Sequence, residues 1–376
     1  MPDRFTLGIE EEFQLMDRQT GNLCSCAQSI LDKATPYFGD QVKPEMLQST
    51  LEFVSNIFPD ITAARRELHA ARSLLSRIVE EEGLALVSAG THPSASWWDQ
   101  TRTLHDRYIE LEEEYQDVGR SILIFGMHVH VAIPYNELAI KIMNQARTWL
   151  PHLIALSSNS PFWYGRMTGL KAYRPVVWKR FPRSGIPKIF TSWEHFDGYV
   201  QDLIAMQCID NAKKIWWDIR PHPFFHTVEF RAFDMPATLE DTLALAAVSQ
   251  ALVAKLVWLN RRGQEMPTLA TDYIEENKWR AMRYGLDAEV LDFAQKRRLG
   301  MRDYIGELLD LVDDVVDDLG SRREMNYIRG LLDDPHGTGA DRQIAVYLEN
   351  RDIRQVQQFL MEQTMQDIIS VPSSGS

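Results

Sequence analysis

Apolar and polar positions alternate along residues 5–16, with Phe5, Leu7, Ile9, Phe13 and Leu15 on one side and Thr6, Glu10, Glu12 and Gln14 on the other. Side chains two apart in a strand share a face, so this period predicts a strand that lays one face on a core and turns the other outward. Glu11 alone breaks the pattern: it falls on the side of Ile9 and Phe13, where a structural role is expected. Similar periods or short apolar runs at 50–55, 84–89, 121–133, 215–220 and 228–233 bring the expected total to about six strands. Between them a helical period starts at Asp60 or Thr62, both suited to an N-cap, and runs to about residue 82 with Gly83 as its stop; a charged helix is expected around 101–119. From about residue 239 the pattern is helical nearly to the end, interrupted by loops such as 333–339, and the Ser/Gly/Pro-rich tail 371–376 is expected to be disordered.

No internal repeat or long linker interrupts the chain, so one domain over 1–370 is expected, strand-rich through 238 and helical over 239–370, with the helical part packed on the strands. The apolar run 243–259 is shorter than the roughly 18 residues a membrane span needs and contains Ser249, Gln250 and Lys255, which predicts a buried core helix. Its alanines, Ala244, Ala246 and Ala247, would permit close helix packing or a homodimer contact. The acidic stretch Glu110 to Glu114 reads as a solvated helix face.

Composition narrows the function classes. With 376 residues, 45% of them hydrophobic, the chain has ample material for a core. A formal charge of −13 opposes nucleic acid or an anionic membrane as partner, while leaving room for a local basic site that holds a small anion such as ATP. The three cysteines, Cys24, Cys26 and Cys208, form no CxxC pair, and residues 1–5 show no apolar signal segment, so a reducing cytoplasm is the expected setting. GxxxxGK[ST], GxGxxG and HExxH are all absent, which removes a P-loop, a dinucleotide fold and a zincin helix. His222 and His226, flanked by Pro221 and Pro223, read as loop or strand-entry residues.

Candidate chemistry lies on the polar faces of the predicted strands. GIEEEF sets Glu10 and Glu12 side by side, GMHVHVAIP sets His128 and His130, HTVEFRAFD sets Glu229 and Arg231, and STLEFVSN places Glu52 with Thr50 and Val54, seven residues after Glu45. Any one of these is equally a solvated face or a satisfied core histidine; together they suit a hard-cation site for Mg²⁺ or Mn²⁺, which take carboxylate oxygens and an occasional imidazole. Trp163, Arg166 and Arg174, in NSPFWYGRMTGLKAYR, supply the aromatic and basic groups of a pocket for an amino-acid carboxylate. Trp216 and Trp217 face opposite ways at strand spacing, so at most one can stack on adenine; Asp218 and Arg220 share the face of Trp216.

GIEEEF, PEMLQSTLEFV, AGTHP, GMHVHVAIP, NSPFW with TG and YR, WWDIRPHP, TVEFRAFD, ENKWRAMRYGLDA and GTGADRQ, in that order over residues 5–343, resemble the carboxylate–amine ligase family, also called glutamate–cysteine ligase type 2. The resemblance implies an α+β, glutamine synthetase-like catalytic fold, a curved antiparallel sheet with helices on its back. It implies an ATP-dependent ligase that activates a carboxylate as an acyl phosphate and captures it with an amine. By similarity, Glu10, Glu12, Glu45, Glu52, His128 and Glu229 would hold two or three Mg²⁺ or Mn²⁺ ions, His130 and Arg231 would touch the terminal phosphates, and Arg174 stands in the YR position. Met167 after Arg166, Lys171 and His226 depart from the family pattern, which implies a pocket of altered charge for which glutamate and cysteine are a poor pair. A kinase or ATPase of the same fold is the alternative enzyme; a non-catalytic nucleotide sensor would show lost metal ligands, and all six positions are kept.

Overall fold

The computed structural model describes residues 5–369, so the tail at 371–376 lies outside the described residues. Seven strands form one antiparallel sheet: β1 (Leu7–Asp17), β2 (Val42–Pro44), β3 (Thr50–Val54), β4 (Leu84–Val87), β5 (Gly126–Ala132), β6 (Ile219–Pro221) and β7 (Thr227–Asp234). Their spatial order is β6-β7-β5-β1-β3-β2, with β4 paired to the far half of β1. Antiparallel register fixes which polar residues meet. Glu10 lies opposite His128 on one side and Val54 on the other, Glu12 opposite Glu52, and His130 opposite Glu229. The outer strands extend these rows, with Arg220 opposite Glu229 and Lys43 opposite Glu52.

Several expected strands are shorter or broken. Residues 121–125 precede β5 rather than belonging to it, and the predicted 215–220 strand splits at Asp218. Trp216–Trp217 pairs in parallel with Ser184–Gly185, while Ile219–Pro221 joins the main sheet. Between Phe230 and Phe233, β7 carries one residue more than β5 does between Val129 and Met127, a bulge that bends the strand beside Arg231. The helical third is interrupted by a hairpin, Glu289–Asp292 with Arg297–Gly300.

The apolar face of the sheet, with Leu7, Ile9, Val129 and Phe230, packs against the helices Ile61–Glu80 and Leu239–Arg261. Asp60 caps the first, accepting from the Ala63 N–H at 2.8 Å, and Thr238 caps the second, accepting from the Asp241 N–H at 3.1 Å. In the second helix 89% of the most apolar window is buried inside the chain, as a core helix requires. Ala244, Ala246 and Ala247 are buried there too, so they offer no surface for a dimer contact.

Glu11, fully buried on the apolar face, ties the sheet to both helices. Arg72 donates to its two oxygens, through Nε at 3.2 Å and through Nη2, and Thr242 Oγ1 donates at 3.0 Å. Removing one partner of a buried pair strands the other charge, so Glu11→Ala is expected to cost roughly 3–5 kcal/mol of stability. Urea unfolding measures this, and a loss below about 1 kcal/mol would mean that Arg72 finds another partner.

Candidate active site

The polar face of the sheet forms the floor of a cavity of about 540 Å³. The register builds the floor in three rows: Arg220, Glu229 and His130; then His128 and Glu10; then Glu12, Glu52 and Lys43. Glu45 follows β2 and is held over the third row by neighbours outside the sheet. Thr103 Oγ1 donates to its carbonyl, and Tyr108 Oη donates to the Pro44 carbonyl at 3.1 Å.

Glu10, His128 and Glu229 each bring a donor atom within 4.8 Å of the others. His128 Nδ1 lies 2.7 Å from Glu10 Oε2, and His130 Nε2 lies 3.3 Å from Glu10 Oε1 and 4.0 Å from Glu229 Oε1. Arg220 Nε donates to Glu229 Oε2 at 2.7 Å, and Arg231 Nη1 donates to the other oxygen.

These contacts divide the carboxylates into two groups. Burial works to raise Glu229 and Glu10, but Arg220 and Arg231 hold Glu229 well below the usual range, and hydrogen bonds from His128 and His130 do the same for Glu10. Burial pushes Glu12 up to about 7 despite Arg174 nearby, raises Glu45, and with the added repulsion of Glu45, Glu10 and Glu12 lifts Glu52 well above its ordinary value. The cations near the third row, Arg174, Arg107 and Lys43, thus do not offset the burial and mutual repulsion of its carboxyls.

Burial, with Arg231 close by, holds His128 down to about 4, so its ring is neutral at pH 7. An ionised Glu10 can only accept, so His128 donates through Nδ1 and carries its lone pair on Nε2, which is buried without a hydrogen-bond partner. An orphaned ring nitrogen oriented by a carboxylate, beside a row of acids that repel one another, fits a divalent cation with oxygen and imidazole ligands. His130 moves the other way: Glu229 and Glu10 outweigh the burial that opposes its charge and raise it.

Arg174 reaches the cavity from a short helix, Arg174–Trp178, and is 4% exposed. Its Nη1 donates to the Arg231 carbonyl at 3.3 Å, its Nε is buried without a partner, and no carboxylate among the described residues pairs with it. It packs on Gly126, where a Cβ would collide with the guanidinium, while the Gly126 N–H donates to Glu12. Gly126→Ala is therefore expected to displace Arg174 and raise KM for a carboxylate substrate by up to about 10²-fold, with little change in Tm. An unchanged KM would show that Arg174 is not the anchor.

Glu10, Glu12, Glu45, Glu52, His128, Glu229, Arg231 and Arg174 all border the cavity, and His130 touches Glu10 and Glu229 beside it. Trp163 and Arg166 do not. They pair in a two-stranded ribbon that turns at Tyr164 and Gly165, with φ of 52° and 74°, so the segment doubles back instead of entering the cavity. Trp163 is core, tilted against Tyr164 and Tyr173, and Arg166 is exposed. Met167 is exposed on that ribbon, Lys171 pairs with Asp341, and His226 meets Asn136 at 3.2 Å. The departures from the family pattern thus lie off the cavity lining and leave its charge as it is.

Trp216 lines the cavity, whereas Trp217 is core, stacked on Tyr199. Residues not anticipated include Lys43, Trp178, Phe181 and the loop aromatics Phe224 and Phe225. Two adjacent phenylalanines in a hairpin loop were the one available signal for the last pair, which are 62% and 63% exposed.

The profile of glutamate–cysteine ligase family 2 matches residues 6–366. The chain belongs to that family. It is 45% identical over 360 residues to a family member from Solibacter usitatus, covering 96% of this chain and 93% of the relative. It is 46% identical over 363 residues to one from Sorangium cellulosum, 96% of each chain. Both relatives carry the provisional name glutamate–cysteine ligase 2. Among solved structures, the glutamate–cysteine ligase of Francisella tularensis in complex with AMP superposes with a TM-score of 0.72 at 13% identity, over 99% of this chain and 91% of the other. At that identity the likeness establishes the fold, the glutamine synthetase-like α+β arrangement with its multi-strand antiparallel sheet.

Proposed function

We propose that the protein is an ATP-dependent carboxylate–amine ligase working through an acyl phosphate. The observation that carries this reading is the unpaired, buried Arg174 beside a floor of carboxylates and imidazoles: one cavity offers an anchor for a carboxylate next to a seat for a metal-bound triphosphate. Glu10, His128 and Glu229 would hold one divalent cation, and Glu12, Glu45 and Glu52 a second. Bound Mg²⁺ or Mn²⁺ supplies neutralisation of the triphosphate charge and polarisation of the transferring phosphoryl group.

The chain's own groups then have separable tasks. Arg231 and His130 face the terminal phosphates and stabilise the equatorial oxygens of the transferring group. Arg174 holds the carboxylate so that one oxygen attacks the γ-phosphorus as the bond to ADP breaks. Attack in line requires the leaving nucleotide and the carboxylate on opposite sides of the cluster. Arg174 lies at the Glu12 end; at the other, His222 stacks on Phe225 with ring centroids 4.4 Å apart, beside the exposed Phe224, and offers aromatic surface for the base. An amine then attacks the acyl carbon, phosphate leaves, and an amide forms.

Hydroxylamine tests the intermediate. With ATP, Mg²⁺ and a carboxylate substrate it should yield the hydroxamate; ADP release indifferent to hydroxylamine and to every amine, with no hydroxamate, would instead favour an ATPase or kinase.

A further inference from the structure

Beyond Arg174 the cavity changes character. Trp178 stands one turn after Arg174 on the same helix face. Its Nε1 donates to the Trp216 carbonyl at 3.1 Å, so its ring is what it presents to the cavity. Phe181 and Trp216 meet edge to face at 5.4 Å, and Tyr115 closes behind them at 5.2 Å and 5.7 Å. Arg180 Nη1 donates to Ser121 Oγ at 3.2 Å, which draws the following segment to this helix and sets the half-buried Ile122 and Ile124 into the lining. Leu111, from the helix Asp106–Tyr115, adds the last apolar group. The nearby cation Arg183 is engaged with Tyr115 Oη at 2.6 Å and the Lys214 carbonyl at 3.0 Å and lies outside the lining.

Two further cations line the cavity but are turned to other rings, Arg107 over Tyr108 at 5.6 Å and Lys213 over Phe224 at 5.1 Å. An ammonium or second carboxylate placed against Ile122, Ile124, Trp178, Phe181 and Trp216 would lose its water to a wall that offers no charged partner, whereas an apolar ring would bury surface and find edge-to-face neighbours. We infer that this wall selects a carboxylate bearing an apolar, ring-sized substituent, an aryl acid in preference to a dicarboxylic amino acid, with the carboxylate at Arg174 and the ring laid against the pair formed by Trp178 and Trp216, which meet edge to face at 6.3 Å. The inference rests on the ligase reading for the cavity's role, but concerns which acid binds there.

Calorimetric titration of the full chain, with Mg²⁺ and a non-hydrolysable ATP analogue present, tests it with 3-phenylpropionate, glutamate and acetate as probes. The expected result is binding of 3-phenylpropionate at least about tenfold tighter than glutamate. Trp178→Ala should remove most of that preference while leaving acetate affinity unchanged; Ile124→Ser serves as a milder second variant of the same wall. Tighter binding of glutamate, no measurable binding of 3-phenylpropionate, or a preference untouched by both variants overturns the inference. Because the readout is binding, it separates from turnover: amide formation with glutamate as the preferred acid would sink the inference and keep the ligase, and aryl-acid binding without any amide product would do the reverse.

Discussion

Replacing Glu12 with alanine is expected to reduce Mg²⁺-dependent nucleotide turnover by at least about a hundredfold while the protein stays folded. Glu12 faces Glu52 across the strand pair and shares the cavity with Glu45, so its carboxylate is retained at an electrostatic cost that a divalent cation held there, as proposed, would offset. Its pKa of about 7 lies above its ordinary 4.5, so the folded protein binds this proton more tightly than the unfolded chain does. The stability it contributes is therefore complete below about 4.5 and lost as pH rises through about 7, and Glu45 and Glu52 shift in the same direction. Two consequences follow for thermal unfolding. Mg²⁺ should raise Tm more at pH 8 than at pH 6, because protons compete for the same oxygens at the lower pH. Glu12→Ala without metal should be at least as stable as the parent at pH 8. Full activity in the variant, or a Mg²⁺ effect independent of pH, would remove the third row from the metal site.

Arg231→Ala is expected to lower kcat on the order of 10³-fold with a smaller change in KM, since an arginine facing a transferring phosphoryl group acts mainly in the transition state. The guanidinium uses Nη1 on Glu229, and its Nε is buried without a partner, which leaves donor capacity for a phosphate. Glu229 keeps Arg220 in the variant, so its carboxylate remains ionised and the loss can be assigned to Arg231 itself. Arg231→Lys retains the charge without the fork and should recover only part of the rate. A loss confined to KM would make Arg231 a binding group and not a catalytic one.

The parts of this site that are legible in the sequence are those carried by period. β1, β3, β5 and β7 each alternate for five or more residues, so the shared faces of Glu10 with Glu12, of His128 with His130 and of Glu229 with Arg231 follow from spacing alone. Glu11 was assignable as structural because it fell on the apolar side, and Arg72 proves to be its partner. The three residues of β2, ending in Pro44, are too short to show a period, so Lys43 was invisible. The bulge after Phe230 and the break at Asp218 are tertiary adjustments that no local pattern marks. Trp163 and Arg166 misled because composition says what a pocket needs but not which way a ribbon turns. The apolar wall beyond Arg174 assembles from four separated segments, none of which signals the others.

Amide formation decides whether the protein is a ligase: ADP release is measured with ATP and Mg²⁺ across a panel of carboxylates, aryl acids and glutamate among them, each with and without amines including cysteine, with products identified by mass spectrometry. ADP release is expected to rise when an amine is added, in step with a new amide of matching mass. ADP release that is the same with every amine and with none, and no amide in any mixture, would contradict the ligase reading.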